Sequence, residues 1–281
     1  MDITLNTGSP IPQLGFGTYK IDDGGAPEAV AGAIAAGYRH VDTAQMYGNE
    51  AGVGAGIAQS GVAREDIFLT TKLDNPNHRP DDVRRTLGES LERLGTDYVD
   101  LFLMHWPLPG EYDGDFISTY RVMEEFVASG EVRAIGVSNF QTHHLEKLMA
   151  ATQIVPAVNQ IEIHPRFQNR TVAAYCQAHG IAVESWSPLG RGRSLELPAI
   201  VEIAERLGAR PAQVVLAWHL AKGFVAIPKS ITPARQVENF GALELELSAG
   251  DVAAIDALDL GERGRVGMNP DTMERGEGAA E

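Results

Sequence analysis

The sequence has one cysteine in 281 residues and no long apolar run. A single thiol, Cys176, excludes an intrachain disulfide and fits a reducing compartment. No stretch reaches the roughly 18 apolar residues that a membrane-spanning helix needs, and the first ten residues lack the basic and apolar regions of a signal peptide. We therefore expect a cytoplasmic protein with no membrane partner.

Basic residues are also scarce: 23 lysines and arginines stand against 38 aspartates and glutamates, which gives a formal net charge of −15. Long-range repulsion argues against general binding to nucleic acid or to anionic membranes, because both are polyanions. A small anionic ligand remains compatible with this charge, since a local basic pocket is screened from charges more than about 8–10 Å away.

Several signatures of other chemistries are missing. The chain has no GxxxxGK[ST] phosphate loop and no GxSxG nucleophile elbow. The glycine-rich segment 52–56 fails as a dinucleotide fingerprint, because its third glycine comes one residue early and no strand directly precedes its first. Cys176 with His179, and His143 with His144, offer pairs of ligand atoms but no evident third ligand, so we predict no metal site.

Short β-branched runs alternate with longer amphipathic segments along the chain. Eight repeats favour an α/β fold with a closed (β/α)8 TIM barrel over an open doubly wound sheet. A hairpin at residues 3–11 is expected to precede the barrel, and one domain is expected to span residues 1–281. The tail, residues 261–281, is interpreted as a terminal loop that either covers a site or is loose. The predicted strands are 14–16, 40–42, 67–71, 99–104, 134–137, 157–161, 182–184 and 225–227, and the predicted helices are 26–36, 49–59, 80–94, 115–129, 141–151, 170–178, 197–207 and 211–221.

Two of these helices carry distinctive local signals. The helix at 80–94 has Pro80 at its first position and Gly95 as its stop. The helix at 49–59 contains Gly52, Gly54 and Gly56, each of which costs about 0.8–1 kcal/mol relative to alanine. We expect close packing against the barrel wall to compensate for these glycines.

Polar side chains fall at or just past the ends of the predicted strands. Asp42, Lys72 and His105 each follow such a run, and Tyr47 lies on the loop after Asp42. In a TIM barrel these strand ends share the face that carries active sites. The four side chains suit carbonyl reduction: Lys72 lowers the pKa of Tyr47, Asp42 orients Lys72, and His105 hydrogen-bonds the carbonyl oxygen. Schiff-base formation at Lys72, as in an aldolase, is an alternative, but it needs a neutral amine and Asp42 opposes that form.

Three segments, in order along the chain, resemble the aldo-keto reductases, and the resemblance covers nearly the whole sequence. The first, 37–50, holds Asp42 and Tyr47. The second, 123–140, ends on Ser138-Asn139-Phe140, and the third, 227–239, begins with Ile227-Pro228-Lys229-Ser230. Segment 184–190, with sequence ESWSPLG, resembles the prokaryotic branch that contains the 2,5-diketo-D-gluconate reductases.

The resemblance implies a catalytic tetrad of Asp42, Tyr47, Lys72 and His105, with Tyr47 as general acid. It also implies NADPH, in preference to NADH, as cofactor and an aldehyde, α-dicarbonyl or keto sugar as the small-molecule substrate. We expect the enzyme to be a monomer. A non-catalytic protein that senses NADPH is the alternative from another class. The implied cofactor contacts are Ser138, Asn139, Gln160, Trp186, Ser187, Leu189, Gly190, Lys229, Ser230, Thr232, Arg235, Glu238 and Asn239.

The substrate pocket is expected to be shaped by Tyr19, Trp106 and the tail segment 267–273, with Lys20 beside Tyr19. Related enzymes often carry an aromatic residue where this chain has Asp74. We therefore expect Asp74 to make the pocket more open or more polar. Within the cofactor site, Lys229 and Arg235 place two cations near one loop, and the guanidinium fork suits a phosphate group.

Overall fold

The structure is a computed structural model that describes residues 1–274. Its main sheet has eight parallel strands, and a separate antiparallel hairpin of β1 and β2 precedes it. Ten α-helices lie between and after the strands in the described part of the chain. The strands are β1 Asp2–Thr4, β2 Pro10–Pro12, β3 Phe16–Gly17, β4 His40–Asp42, β5 Phe68–Leu73, β6 Val99–Met104, β7 Val132–Ser138, β8 Val158–Glu162, β9 Ala182–Trp186 and β10 Val225–Ala226.

The main sheet curls round on itself. Each strand from β3 to β10 pairs in parallel with its neighbours in the chain. The first and last strands then meet: Leu14 forms a parallel bridge with Ala226, the Gly15 N–H donates to the Ala226 carbonyl at 2.9 Å, and the Ala226 N–H donates to the Gln13 carbonyl at 2.8 Å. These bonds close the sheet, and the predicted (β/α)8 barrel is confirmed.

Some helices begin and end at the predicted residues, and others differ from the prediction at one or both ends. α3 has the predicted bounds, because Pro80 starts it and Gly95, with a φ of 65°, ends it. Two helices near the end of the described chain, α9 and α10, were not predicted. The helices are α1 Ala26–Ala35, α2 Glu50–Ser60, α3 Pro80–Leu94, α4 Phe116–Ser129, α5 Thr142–Met149, α6 Arg170–Ala178, α7 Pro198–Leu207, α8 Pro211–Ala221, α9 Pro233–Phe240 and α10 Ala249–Asp256.

The glycines of α2 allow close packing, although not against the barrel wall. A Cβ on Gly52 would overlap the Asp23 carbonyl, and one on Gly54 would overlap the backbone of Leu94 at the end of α3. A Cβ on Gly56 would lie 2.7 Å from the Val30 Cβ in α1. The expected close approach is therefore present, but the neighbours are the adjacent helices and the loop before α1.

The N-terminal hairpin covers the end of the barrel where the strands begin. Ile11 and Leu5 are buried there against Leu101, Leu103 and the starts of the neighbouring strands. A larger apolar core fills the space between the sheet and the surrounding helices. Because the hairpin covers one end of the barrel, the carboxyl ends of the strands form the open face. None of the helices in residues 1–274 is long and apolar enough to cross a bilayer.

Candidate active site

The four predicted catalytic side chains meet at the open end of the barrel. Asp42 ends β4, Lys72 lies near the end of β5, and His105 directly follows β6. Tyr47 ends a single 3₁₀ turn after β4, and Gly48 leaves that turn with a φ of 64°, a conformation that favours glycine. Three strand ends and one short turn therefore bring distant segments of the chain together.

Lys72 is fully buried and connects two of these residues. Its Nζ donates to Asp42 Oδ1 at 2.6 Å and to the Thr43 carbonyl at 2.8 Å, and it lies 3.5 Å from the Tyr47 hydroxyl. Gln160 Nε2 donates to the other oxygen of Asp42 at 2.8 Å. Both carboxylate oxygens are thus satisfied, and the ammonium points toward the phenol.

Tyr47 and His105 line the cavity above this ion pair. Their rings pack edge to face with centroids 5.7 Å apart, and the Tyr19 ring lies 5.0 Å from Tyr47. Tyr47 is half-buried, whereas Asp42 and Lys72 are enclosed beneath it. The phenol and the imidazole are therefore the tetrad groups placed to contact a substrate.

The expected lowering of the Tyr47 pKa by Lys72 is wrong. Burial raises the pKa of Tyr47 well above its ordinary value, and the charges of Asp42, Tyr19 and Glu184 add to this increase. Burial outweighs the effect of the nearby ammonium, and Asp42, which pairs with that ammonium, offsets part of its charge. Tyr47 is consequently held as a neutral phenol, the form that donates a proton.

His105 is held in its neutral form. Burial lowers the pKa of His105 well below its ordinary value, and the neighbouring Lys72 and His78 lower it further. Within residues 1–274 its buried Nδ1 has no hydrogen-bond partner, and its backbone carbonyl accepts a bond from Asn139 Nδ2 at 3.0 Å. A neutral imidazole still carries one N–H, which suits a hydrogen bond to a carbonyl oxygen.

A second group of polar side chains lines the same cavity on the next strands. Ser138 Oγ donates to the Gln160 carbonyl at 2.8 Å, and Asn139 Nδ2 lies 3.0 Å from Ser138 Oγ. The Trp186 indole N–H donates to Asn139 Oδ1 at 2.8 Å, which fixes the ring at the cavity wall. Asn139 has a φ of 65°, a strained conformation that turns its side chain back toward β6.

The cavity extends from the tetrad to the start of α9 and has a volume of about 960 Å³. Lys229, Ser230, Arg235, Glu238 and Asn239 line its far end. Within the described residues, the side chains of Lys229 and Arg235 make no hydrogen bond or ion pair with other protein groups. An elongated cavity with polar groups near the tetrad and two free cations at the other end fits a phosphorylated dinucleotide.

Most of the predicted cofactor residues line this cavity, including Ser187 and Leu189, but two do not. Gly190 is buried, and a Cβ there would lie 2.9 Å from Ser194 Oγ, so packing accounts for it. Thr232 is exposed and precedes α9 as its N-cap residue. Arg191 and Arg210, which no sequence motif singled out, add two cations to the lining.

Tyr19 and Trp106, the predicted substrate contacts, line the opposite end of the cavity, together with the tail. Glu162, at the end of β8, accepts the N–H groups of Val266 at 2.6 Å and Gly267 at 2.9 Å. Gly267 is so close to Trp186 that a Cβ would overlap the indole ring. The described part of the tail is therefore a fixed wall of the cavity; residues 275–281 of the predicted loop lie outside the described residues.

Replacing Glu162 with glutamine should loosen this wall. The glutamine amide keeps one acceptor oxygen for one backbone N–H, but its NH₂ group cannot accept from the other. One hydrogen bond to a charged acceptor is therefore lost. Such bonds contribute about 1.5–3 kcal/mol, and we expect the carbonyl KM to rise about tenfold. Steady-state kinetics and NADPH titration would check this. Glu262→Gln, an exposed change in the same tail, is the matched control. If Glu162→Gln raises the KM no more than Glu262→Gln does, Glu162 does not hold this wall in place.

Asp74 does not line this cavity, so the expectation that its carboxylate makes the substrate pocket more polar is wrong. The expected more open pocket stays a prediction. Its carboxylate accepts the Asn75 N–H at 2.7 Å and caps a 3₁₀ turn. The side chain faces a separate polar cleft that also contains Asp23 and Arg93.

The adjacent histidines have a third polar neighbour that the sequence did not reveal. Asp271 Oδ1 lies 3.2 Å from His143 Nε2 and 3.4 Å from His144 Nε2. His144 Nδ1 already accepts the Gln141 N–H at 3.1 Å, so in the neutral ring the proton is on Nε2. That tautomer carries a hydrogen on Nε2, on the side of Asp271, and is unsuited to binding a metal through Nε2.

Residues 13–260 match the Aldo/keto reductase family, and this chain belongs to that family. It is 45% identical over 272 residues to the glyoxal reductase of Bacillus subtilis and 42% identical over 272 residues to the methylglyoxal reductase DkgA of Escherichia coli, covering 96% of each chain. A solved structure of a Gox0644 mutant in complex with NADPH is 42% identical, superposes with a TM-score of 0.93 and covers 98% of both chains.

Proposed function

We propose that this protein reduces aldehydes, α-dicarbonyls or keto sugars to alcohols with NADPH as cofactor. The observation that carries the proposal is the position of the Lys72 ammonium, 2.6 Å from Asp42 and 3.5 Å from the Tyr47 hydroxyl at the floor of the cavity. Relatives named glyoxal and methylglyoxal reductase, and a neighbour in complex with NADPH, support the choice of reaction and cofactor.

NADPH, when bound, supplies a hydride to the carbonyl carbon of the substrate. The side chains of the protein must stabilise the negative charge that then develops on the carbonyl oxygen. The neutral ring of His105 offers an N–H to that oxygen, and the phenol of Tyr47 donates the proton. A raised pKa does not prevent this step, because an alkoxide is a stronger base than a phenolate. Lys72 stabilises the resulting phenolate, and Asp42 keeps Lys72 charged and in place.

Ser138, Asn139 and Gln160 present the hydroxyl and amide groups that would hold the nicotinamide carboxamide, with the indole of Trp186 against the ring. Asn139 and Trp186 are already joined by a hydrogen bond, so this wall is preorganised. The free cations Lys229 and Arg235 would bind the adenosine 2′-phosphate, and Glu238 with Asn239 would contact the adenine. Lys72 is held as an ammonium by Asp42, which argues against Schiff-base chemistry.

The test is NADPH consumption by the purified protein with a panel of aldehydes, dicarbonyls and keto sugars, repeated with NADH. We expect consumption with at least one class of carbonyl and a preference for NADPH. Absence of consumption with every member would refute the proposed reaction, and equal use of NADH would refute the cofactor preference alone.

Removing Arg235, one of the two cations proposed to bind the 2′-phosphate, should reduce the preference for NADPH over NADH. Arg235→Gln deletes the guanidinium fork and leaves Lys229 as the neighbouring cation. Hydrogen bonds to charged groups contribute about 1.5–3 kcal/mol, so NADPH affinity should fall about 10- to 100-fold while NADH affinity stays unchanged. Quenching of tryptophan fluorescence during titration with each cofactor measures both values. Arg121→Gln, on the exposed face of α4, controls for the change in net charge; parallel losses for NADPH and NADH would contradict this role of Arg235.

A further inference from the structure

The barrel interior contains a carboxyl group that the mechanism above does not use. Glu184 lies in the middle of β9, and its side chain is completely buried. Within the described residues neither of its oxygens has a hydrogen-bond partner. Oε1 lies 3.6 Å from His40 Nε2 across the barrel, just beyond hydrogen-bond distance.

His40 does not provide a compensating positive charge. Burial lowers the pKa of His40 to about 3, so its ring is neutral, and its Nε2 also lies 3.2 Å from Thr70 Oγ1. An ionised carboxylate enclosed in this way, without a donor, is strongly disfavoured. Burial and the neighbouring charge of Asp42 raise the pKa of Glu184 to about 8. Glu184 is therefore protonated at neutral pH.

Glu184 also acts on the residues of the tetrad. Glu184 is in register with Gln160, whose amide donates to Asp42 Oδ2 at 2.8 Å, and Asp42 in turn binds Lys72 at 2.6 Å. When ionised, Glu184 adds to the raised pKa of Tyr47. The strands beside β9 add no further charge next to it: β10 contributes Val225 and Ala226, and β8 contributes the neutral Gln160 in register with Glu184. The ionisable groups that face Glu184 are His40, Asp42, Lys72 and Tyr47.

We propose that Glu184 is a positioning residue for Lys72. While Glu184 is protonated, the ammonium is left to Asp42 and Tyr47. When Glu184 ionises, it becomes a second buried anion that attracts the Lys72 ammonium. Its charge also disfavours the negative charge that develops on Tyr47 as the phenol gives up its proton. This role rests on the proposed reductase function, and its sign is fixed: the proton-donating step slows as Glu184 loses its proton.

The test compares wild-type protein with Glu184→Gln, which mimics the neutral acid. The single-turnover rate of hydride transfer from NADPH should fall at least about threefold in the wild type between pH 7 and pH 9.5, since a one-unit change in the Tyr47 pKa corresponds to a factor of about ten in its ionisation equilibrium. In Glu184→Gln the rate at pH 7 should be within about threefold of wild type, and the decline should be absent. A wild-type rate that does not fall, or a variant that keeps the decline, overturns the proposal.

Glu50→Gln is the matched control, since it removes another buried glutamate that is bonded to Thr71 and Arg93 outside the tetrad. We expect it to lower stability and to keep the decline in rate; loss of the decline there would overturn the assignment to Glu184. Titration by ¹³C NMR of protein labelled at glutamate Cδ tests the wild type directly, even if a variant fails to fold. One glutamate should titrate near pH 8. If every glutamate titrates below about pH 6, the proposal is overturned. The NMR result does not depend on turnover, so it separates failure of this inference from failure of the proposed function.

Discussion

Tyr47→Phe is expected to lower kcat/KM for carbonyl reduction by about 10²- to 10⁴-fold, the usual contribution of a positioned general acid. The substitution removes one oxygen atom and keeps the ring that packs against His105 and Tyr19. No other hydroxyl in the tetrad can replace it, because the remaining members are a carboxylate, an ammonium and an imidazole. Steady-state assays with the best carbonyl from the panel measure the loss.

NADPH binding should be nearly unchanged in the same variant, since the phenol lies at the floor of the cavity and the free cations lie at its far end. Tyr175→Phe, which removes a tyrosine hydroxyl on α6 away from the cavity, is the matched control and should keep wild-type kinetics. Turnover near the wild-type rate in Tyr47→Phe would show that another group donates the proton. Loss of NADPH affinity together with turnover would point to a structural role.

The meeting of Asp42, Tyr47, Lys72 and His105 at one face could be predicted because their positions follow local rules. Asp42, Lys72 and His105 occupy strand ends, and a closed parallel barrel brings all such ends to one face. The bounds of α3 were equally local, since Pro80 and Gly95 act within one turn of the helix. In each case the residue type and its immediate neighbours determine the position, and no long-range contact has to be known.

Other features depend on contacts between segments that are distant in sequence. Strand alternation alone does not show what surrounds Glu184, and only the structure sets its carboxyl group 3.6 Å from His40 without a hydrogen-bond partner among the described residues. Arg210 precedes α8 and reaches the cavity because α8 and α9 pack together. The raised pKa of Tyr47 also required the structure, because the sequence showed a cation nearby but not how deeply the phenol is buried.

Lys72→Met is the second substitution with a large expected effect. Methionine keeps an unbranched side chain of similar length but removes the cation that stabilises the phenolate formed at Tyr47. By comparison with the loss of a single charge-stabilising donor in other active sites, kcat should fall about 10²- to 10³-fold. The change also leaves Asp42 buried beside Gln160 without its ion-pair partner, and breaking a buried pair from one side costs about 3–5 kcal/mol of stability. Single-turnover kinetics and denaturant unfolding measure the two effects separately.

The double variant Asp42→Asn/Lys72→Met distinguishes chemistry from folding. It removes both charges at once, so Asp42 no longer leaves an unpaired carboxylate beside Gln160, and replacing a buried ion pair by neutral groups is often close to neutral for stability. We therefore expect the double variant to regain most of the stability that Lys72→Met loses, while its kcat stays as low as that of the single variant. Recovery of activity together with stability would mean that Lys72 serves only to balance Asp42, and the ammonium would then have no part in supporting proton transfer from Tyr47.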